Sequence, residues 1–164
     1  MARRSVSLNK LEDKIEILNI DLKNLEEDLE EDSVDKILSN PPYMKIGQGF
    51  TNPNQALSIA RHEVHCTIED IMEKANYLLK QNGRLYLIHR PNRLVDIFCL
   101  GRKHKMEAKR IRLIHPKEGR EANLVLVELS KLGKEELRIE KPLYVYGEDG
   151  NYTEEILEIY RKES

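Results

Sequence analysis

The chain has 164 residues, of which 34 % are charged and 40 % hydrophobic, and its formal net charge is −2. This length suits one domain over residues 1–164 with a sizeable core, and the composition is typical of a globular protein. The near-neutral charge excludes a globally basic surface for nucleic acid, and no apolar run approaches the roughly 20 residues that cross a bilayer.

The first third of the chain predicts a helix ending near Asn9, an apolar strand over residues 15–20 and an acidic helical turn over residues 24–32. A buried strand over residues 34–39 follows. The next two residues after Asn40 are prolines, which exclude both helix and ladder pairing. Residues 44–55 contain glycine and proline and few apolar side chains, so they predict a loop.

The rest of the chain alternates helices with strands. Thr67 and Asp70 predict a helix that begins with a capping box and ends at Asn82-Gly83, and Pro91 opens the next helix. Strands are predicted over residues 84–89, 109–115, 124–129 and 143–146, and Thr153 caps a final helix ending near residue 161. This order predicts an α/β fold with a largely parallel sheet and one antiparallel member.

Two cysteines, Cys66 and Cys99, lie far apart and show no spacing typical of a disulfide framework or zinc site. Both lie in apolar helical patterns, so we expect buried thiols. The N-terminus has no signal-peptide pattern. Together these features predict a cytoplasmic protein in a reducing compartment.

Polar residues follow two predicted strands at the sheet end where α/β proteins bind ligands: Asp21 and Asn40. Asp21 could accept hydrogen bonds from a ligand amino group, although a turn or N-cap aspartate is the simpler interpretation.

Asn40 begins the tetrapeptide Asn40-Pro41-Pro42-Tyr43, which predicts methyl transfer to an exocyclic or amide nitrogen. The lone pair of such a nitrogen is delocalised, and two acceptors aimed at its hydrogens favour a more nucleophilic geometry. The Asn40 side-chain oxygen and the Pro41 carbonyl supply the acceptors, Pro42 stiffens the loop, and the Tyr43 ring can stack on a planar base. A strand-ending turn with a packed tyrosine remains the alternative.

Other polar clusters carry weaker signals. The histidines His62 and His65 lack the HExxH pattern, so we expect no metal and place them in the substrate-facing loop or at the following helix cap. His89-Arg90, at the end of a strand, could contact a phosphate or the cosubstrate, or form a structural ion pair. A basic strip could grip an RNA backbone or be a solvated helix face; it comprises Arg102, Lys103, Lys105, Lys109, Arg110 and Arg112.

Over nearly its whole length the sequence resembles the bacterial tRNA adenine-N6 methyltransferases that modify the adenine beside the anticodon of a valine tRNA. The matching stretches are residues 2–6, 8–9, 21–22, 40–43, 60–63, 83–85, 89–91, 122–128, 144–146 and 152–153. The resemblance implies a Rossmann-like class I methyltransferase that uses S-adenosylmethionine and acts on tRNA. It implies catalytic roles for residues 40–43 and cofactor contacts for Asp21, Leu22 and Asn40. Substrate contacts would come from Tyr43, His62, His89, Arg90, Lys109, Arg110 and Arg112.

The resemblance has one large departure, because the family begins with two strands and a glycine-rich loop that this sequence lacks. The GxG at residues 47–49 opens no helix. We therefore expect an incomplete sheet, weak or no binding of the cofactor by this chain alone, and a fragment or truncated product that is inactive or incomplete. The strand over residues 15–20 is expected to dock beside the strand over residues 34–39 or to pair between chains, giving a homo-oligomer.

Two other functions remain open at this point. A protein glutamine-N5 methyltransferase shares the tetrapeptide chemistry but needs no basic strip. A noncatalytic module that binds RNA or dimerises through its sheet edge would retain the fold without the reaction.

Overall fold

The computed structural model describes residues 1–41 and 66–161. The helices are α1 (Ala2–Leu8), α2 (Ile68–Leu78), α3 (Leu94–Lys103) and α4 (Glu154–Arg161), with 3₁₀ turns at Leu22–Glu27 and Pro91–Arg93. The strands are β1 (Val34–Ser39), β2 (Leu79–His89), β3 (Met106–His115), β4 (Leu124–Lys131), β5 (Arg138–Ile139) and β6 (Leu143–Tyr144).

The strands form one mixed sheet in the order β1-β2-β4-β3, with β5 and β6 both paired to the outer side of β3. β1 is parallel to β2, β4 is antiparallel to both β2 and β3, and β5 and β6 are parallel to β3. The predicted α/β class and the single antiparallel member among the main strands are confirmed. Because β1, β2, β3 and β6 run in one direction, their C-terminal ends meet at one border of the sheet, here called the carboxyl edge.

The main core lies between the sheet and the helices α2 and α3. Met72 of α2 and Ile97 of α3 are completely buried against Leu85, Leu87 and Val125 of the sheet. These apolar positions recur at helical spacing on α2 and α3 and at every second residue on β2, as one-sided burial requires. This layer fixes the position of the strand ends.

The opposite sheet face is only partly covered. α4 packs Ile156 against Ile114 and Leu143 at the β3 and β6 side. The remainder forms an open groove of about 570 Å³ whose apolar lining includes Leu38 and Leu126. Leu38 is 80 % exposed although it lies within β1.

The predicted strand over residues 15–20 is wrong. These residues have no strand pairing in the structure, and Ile15, Leu18 and Ile20 are exposed. An apolar run becomes a strand only where a neighbour completes its ladder, and in the described part of the chain no strand flanks this segment. The predicted docking of this segment as a strand beside β1 is therefore wrong too.

The predicted start of α2 is confirmed and its predicted end is wrong. Thr67 Oγ1 accepts the Asp70 N–H at 3.1 Å, and the Asp70 carboxylate accepts the Thr67 N–H at 2.7 Å. The helix ends at Leu78 rather than at Asn82-Gly83, because the chain passes directly into β2. Asn82, with φ of 63°, lies where β2 bulges away from β1 before pairing resumes at Arg84.

The predicted burial of the thiols is wrong for Cys99 and met only in part for Cys66. Cys99 is exposed on α3, and Cys66 is half-buried just before the Thr67 cap. The helical pattern around Cys99 marks a real helix, but the thiol lies on the side that faces away from the sheet.

Candidate active site at the carboxyl edge

β1 delivers two residues of the tetrapeptide to the carboxyl edge. Ser39 pairs with Leu87, so Asn40 and Pro41 leave the sheet beside the end of β2. Asn40 is exposed and Pro41 is buried. Because proline has no N–H, the chain at Pro41 cannot continue the ladder, and the Asn40 side chain is left beyond it.

A cavity of about 340 Å³ lies beside these residues on the helix-covered face of the sheet. Leu22, Asn40, Pro41 and Cys66 line it together with Ser39, Lys74 and apolar residues of β1 and α2. The fold thus brings together three residues that the sequence analysis assigned separately to cofactor or catalysis: Leu22, Asn40 and Pro41. Cys66 was missed as a cavity residue. Its position just before the Thr67 cap, at the start of α2, was the available signal.

Asp21 directly precedes the cavity residue Leu22 and caps the turn that holds it. Its carboxylate accepts the Lys23 N–H at 2.9 Å and so caps the 3₁₀ turn.

Burial raises the pKa of the Cys66 thiol, with smaller contributions from the negative charges of Asp70 and Asp21, so the thiol stays protonated at neutral pH.

His89 and Arg90 occupy the carboxyl end of β2. His89 is completely buried, and its Nδ1 accepts the Arg90 N–H at 2.8 Å. Burial, with the nearby positive charge of Arg93, lowers the pKa of His89 to about 4. Arg90 Nη1 donates to the Asn123 carbonyl at 3.0 Å, while Arg93 pairs with Asp96 at 2.8 Å. His89 therefore shapes this turn as a neutral ring, whereas Arg90 is exposed at the edge.

The basic strip is divided among different surfaces. Arg102 and Lys103 belong to α3, whereas Arg110 and Arg112 line the open groove on the other face of the sheet. Most of the strip has local partners: Arg102 with Glu107, Lys103 with Glu69, Lys109 with the Lys134 carbonyl, Arg110 with Glu128 and Glu140, and Arg112 with Glu155. These pairs weaken its positive field, and the substrate roles of Lys109, Arg110 and Arg112 stay predictions.

The structure leaves part of the predicted site undescribed. Pro42, Tyr43, His62 and His65 lie outside the described residues, as does the predicted loop over residues 44–55. Within residues 1–41 and 66–161 no three histidine, cysteine or acidic side chains cluster as metal ligands. In the same ranges no helix combines the length and apolar character that a membrane span requires.

The cavity fits the adenosyl end of S-adenosylmethionine. Its volume lies at the lower end of the range for small-molecule pockets. Its lining is mostly apolar, with Ser39, Asn40 and Lys74 as its polar residues, and this combination suits a flat heteroaromatic ring. β1 is at the border of the described sheet, so the described residues build one wall of the ligand crevice.

Comparison with solved structures identifies the class of fold. The chain aligns over 98 % of its length, with a TM-score of 0.75 and 24 % identity, to a predicted O-methyltransferase from Agrobacterium tumefaciens, of which it covers 70 %. The M protein of the type I restriction enzyme EcoKI aligns over 98 % of this chain with a TM-score of 0.51, 14 % identity and 38 % coverage of that protein. The fold is that of class I methyltransferases.

Sequence relatives narrow the assignment. Curated proteins named tRNA1(Val) (adenine(37)-N6)-methyltransferase are 30 % identical over 76 % of this chain in Aeromonas hydrophila and 28 % identical over 77 % in Porphyromonas gingivalis. No protein-family model matches. The chain is a homologue of the tRNA1(Val) (adenine-N6)-methyltransferases, and it spans about half the length of these relatives, 51 % and 50 %.

Proposed function

We propose that this chain carries the target-amine side of an S-adenosylmethionine-dependent adenine-N6 methyltransferase that acts on tRNA. The observation that carries the proposal is the placement of Asn40 and Pro41 at the carboxyl edge, beside the cavity they share with Leu22. The names of the curated relatives support adenine in tRNA as the target.

In this proposal Asn40 and Pro41 orient the amine of the target base. The Asn40 side-chain oxygen and the Pro41 carbonyl oxygen accept hydrogen bonds from its two N–H groups. The nitrogen lone pair is then less conjugated with the ring and more nucleophilic. Burial of Pro41 holds its carbonyl in place before the substrate arrives. S-adenosylmethionine supplies an electrophilic methyl group on a sulfonium. Pro42 and Tyr43 remain proposed parts of the same motif.

The cofactor would be held by Asp21, Leu22 and Asn40. Leu22 and Asn40 line the cavity, and Asp21 stands at the start of the same turn, where its second carboxylate oxygen can accept from an amino group. Because the described residues supply one wall, we expect weak affinity for S-adenosylmethionine. Calorimetry checks this expectation, and tight stoichiometric binding would contradict it.

The partner in this proposal is tRNA, in the cytoplasm where the tRNA is available. His89 positions Arg90, whose exposed guanidinium can contact phosphate, and His62 stays a proposed substrate residue.

A homo-oligomer also remains a proposal, because the outer side of β1 pairs with no strand of the described chain. The exposed charges of Asp35 and Lys36 on β1 oppose simple edge pairing.

Methyl transfer with labelled S-adenosylmethionine at high concentration tests the function. Purified chain is offered bulk tRNA and, separately, a glutamine-containing release-factor peptide. We expect label on N6 of adenine. Asn40→Ala should lower the rate of methyl transfer on the order of 100-fold, because an oriented acceptor is removed. Asn9→Ala, which changes an exposed asparagine after α1, is the matched control.

Three outcomes would contradict the proposal. Label on the peptide rather than the RNA would identify a glutamine methyltransferase. Undiminished turnover by Asn40→Ala would refute the role of Asn40. Transfer to neither substrate at saturating cofactor would refute activity in this chain.

A further inference from the structure

Three exposed tyrosines form a cluster at the carboxyl edge, at the other side of the sheet from Asn40. The rings of Tyr146 and Tyr152 stack at 5.2 Å between centroids and 14° between planes, and Tyr160 lies 6.3 Å from Tyr152. Their exposed fractions are 41 %, 48 % and 64 %. Side chains buried only for packing would show less surface, so part of each tyrosine stays open to a ligand although Tyr146 and Tyr152 cover one face of each other.

Backbone hydrogen bonds hold this tyrosine cluster in place. The Tyr146 N–H donates to the Pro116 carbonyl at 2.9 Å, and the Gly147 N–H donates to the Asn151 carbonyl at 2.9 Å. The turn between the two stacked tyrosines closes through Gly150, whose φ of +81° favours glycine. The stacking surface is therefore preorganised, which lowers the entropy cost of binding a flat group.

Two cations lie next to the tyrosine cluster. Lys117 and Arg120 are exposed in the turn between β3 and β4, and they line a cavity of about 610 Å³ together with Tyr146. Unlike most of the basic strip, neither forms an ion pair with the described residues. Glu118 and Glu121 in the same turn reduce the local positive field, so stacking rather than charge would supply most of the affinity.

The tyrosine cluster and Asn40 share one border of the molecule. Tyr146 follows β6, which is parallel to β3, and Asn40 follows β1. Four strand spacings separate β1 from β6, or roughly 19 Å at about 4.8 Å each. At the stacked spacing of about 3.4 Å per nucleotide, this corresponds to a loop of roughly six nucleotides.

We propose that Tyr146 and Tyr152 stack unpaired bases of a single-stranded RNA loop, with Lys117 and Arg120 on its phosphates. The proposal rests on the proposed function, because it concerns nucleotides that flank the target adenine at Asn40. Single-stranded RNA is the occupant that combines flat, unstacked bases with widely spaced phosphates.

The experiment uses an RNA hairpin with a seven-nucleotide loop that carries 2-aminopurine, a base whose fluorescence falls on stacking. We expect quenching on binding to the chain. Tyr152→Leu should weaken binding on the order of tenfold, whereas Tyr152→Phe should bind like the unchanged chain. Lys117→Ala with Arg120→Ala should weaken binding and reduce the salt slope of log K by about 1.4, the value for two phosphates of a single strand.

Lys80→Ala is the matched charge control, because Lys80 is exposed near the opposite end of β2. Equal affinity for Tyr152→Leu and the unchanged chain, or no binding of the hairpin, would overturn the inference. Circular dichroism of each variant verifies folding. If Tyr152→Leu loses hairpin binding and the unchanged chain shows no methyl transfer, this inference is retained and the proposed function is refuted. If the unchanged chain transfers the methyl group and Tyr152→Leu binds the hairpin as tightly, the inference is refuted and the proposed function is retained.

Discussion

Acidification should destabilise this chain through His89, which closes the carboxyl end of β2. The side chain is completely buried and its pKa in the folded protein is about 4, against 6.5 for the unfolded chain. Between these values the unfolded state binds a proton that the folded state rejects. The contribution of His89 to stability is therefore fully present above pH 6.5 and is lost as the pH falls toward 4.

The size of the effect follows from the two pKa values. Proton linkage between 6.5 and 4 gives a loss of about 2 kcal/mol in the free energy of unfolding between pH 7.5 and pH 5. The carboxyl groups with lowered pKa values act mainly below this window, because the ordinary values of Glu26, Glu69 and Asp149 are 4.5, 4.5 and 3.8. The interval from pH 7.5 to 5 therefore reports chiefly on histidine.

Urea unfolding at several pH values, followed by circular dichroism and tyrosine fluorescence, measures this loss; the chain contains no tryptophan. The matched variant is His89→Asn, whose amide oxygen can accept the Arg90 N–H but does not titrate. We expect it to be less stable at pH 7.5 because it leaves a cavity, but its stability should depend less on pH. A pH dependence equal to that of the unchanged chain would refute the reasoning.

Two further pairs of substitutions test the packing. Gly101→Ala should lower the free energy of unfolding by about 1–2 kcal/mol despite better helix propensity, because the new methyl group would lie 2.9 Å from the Met106 carbonyl oxygen. Cys99→Ala, on the exposed side of α3, is the control and should change the free energy of unfolding by less than about 0.5 kcal/mol. Equal losses for Gly101→Ala and Cys99→Ala in urea unfolding would contradict the clash. Leu38→Ser in the open groove should be nearly neutral, whereas the buried Leu87→Ala should cost about 2–5 kcal/mol; a large loss for Leu38→Ser would show that the groove is covered.

Local signals in the sequence were sufficient where a few neighbouring residues determine the structure. Thr67 and Asp70 complete their hydrogen bonds within one helical turn, so the capping box could be predicted from the sequence. The strand before Asn40 was predicted with its correct bounds because a largely apolar segment ended by two prolines has few other conformations. Its predicted burial was wrong, because β1 lies at the border of the described sheet and none of its residues is buried. The chemistry assigned to residues 40–43 also came from residue types alone.

Tertiary structure decided what depends on distant residues. Residues 15–20 are apolar like β1, but a strand also needs a neighbour for its backbone hydrogen bonds, and residue types do not specify that neighbour. The basic strip is one patch in the sequence, yet Arg112 pairs with Glu155 of α4, 43 residues away, which offsets part of its positive field.

The sequence alone determined the α/β class, the methyltransferase motif and the boundaries of its strand. Only the tertiary structure placed Leu22 and Cys66 beside Asn40 and stacked Tyr146 on Tyr152 at the same edge. The physical reason is that hydrogen bonds within a turn follow from adjacent residues, whereas a cavity or a surface is formed by the packing of segments that are far apart in the chain.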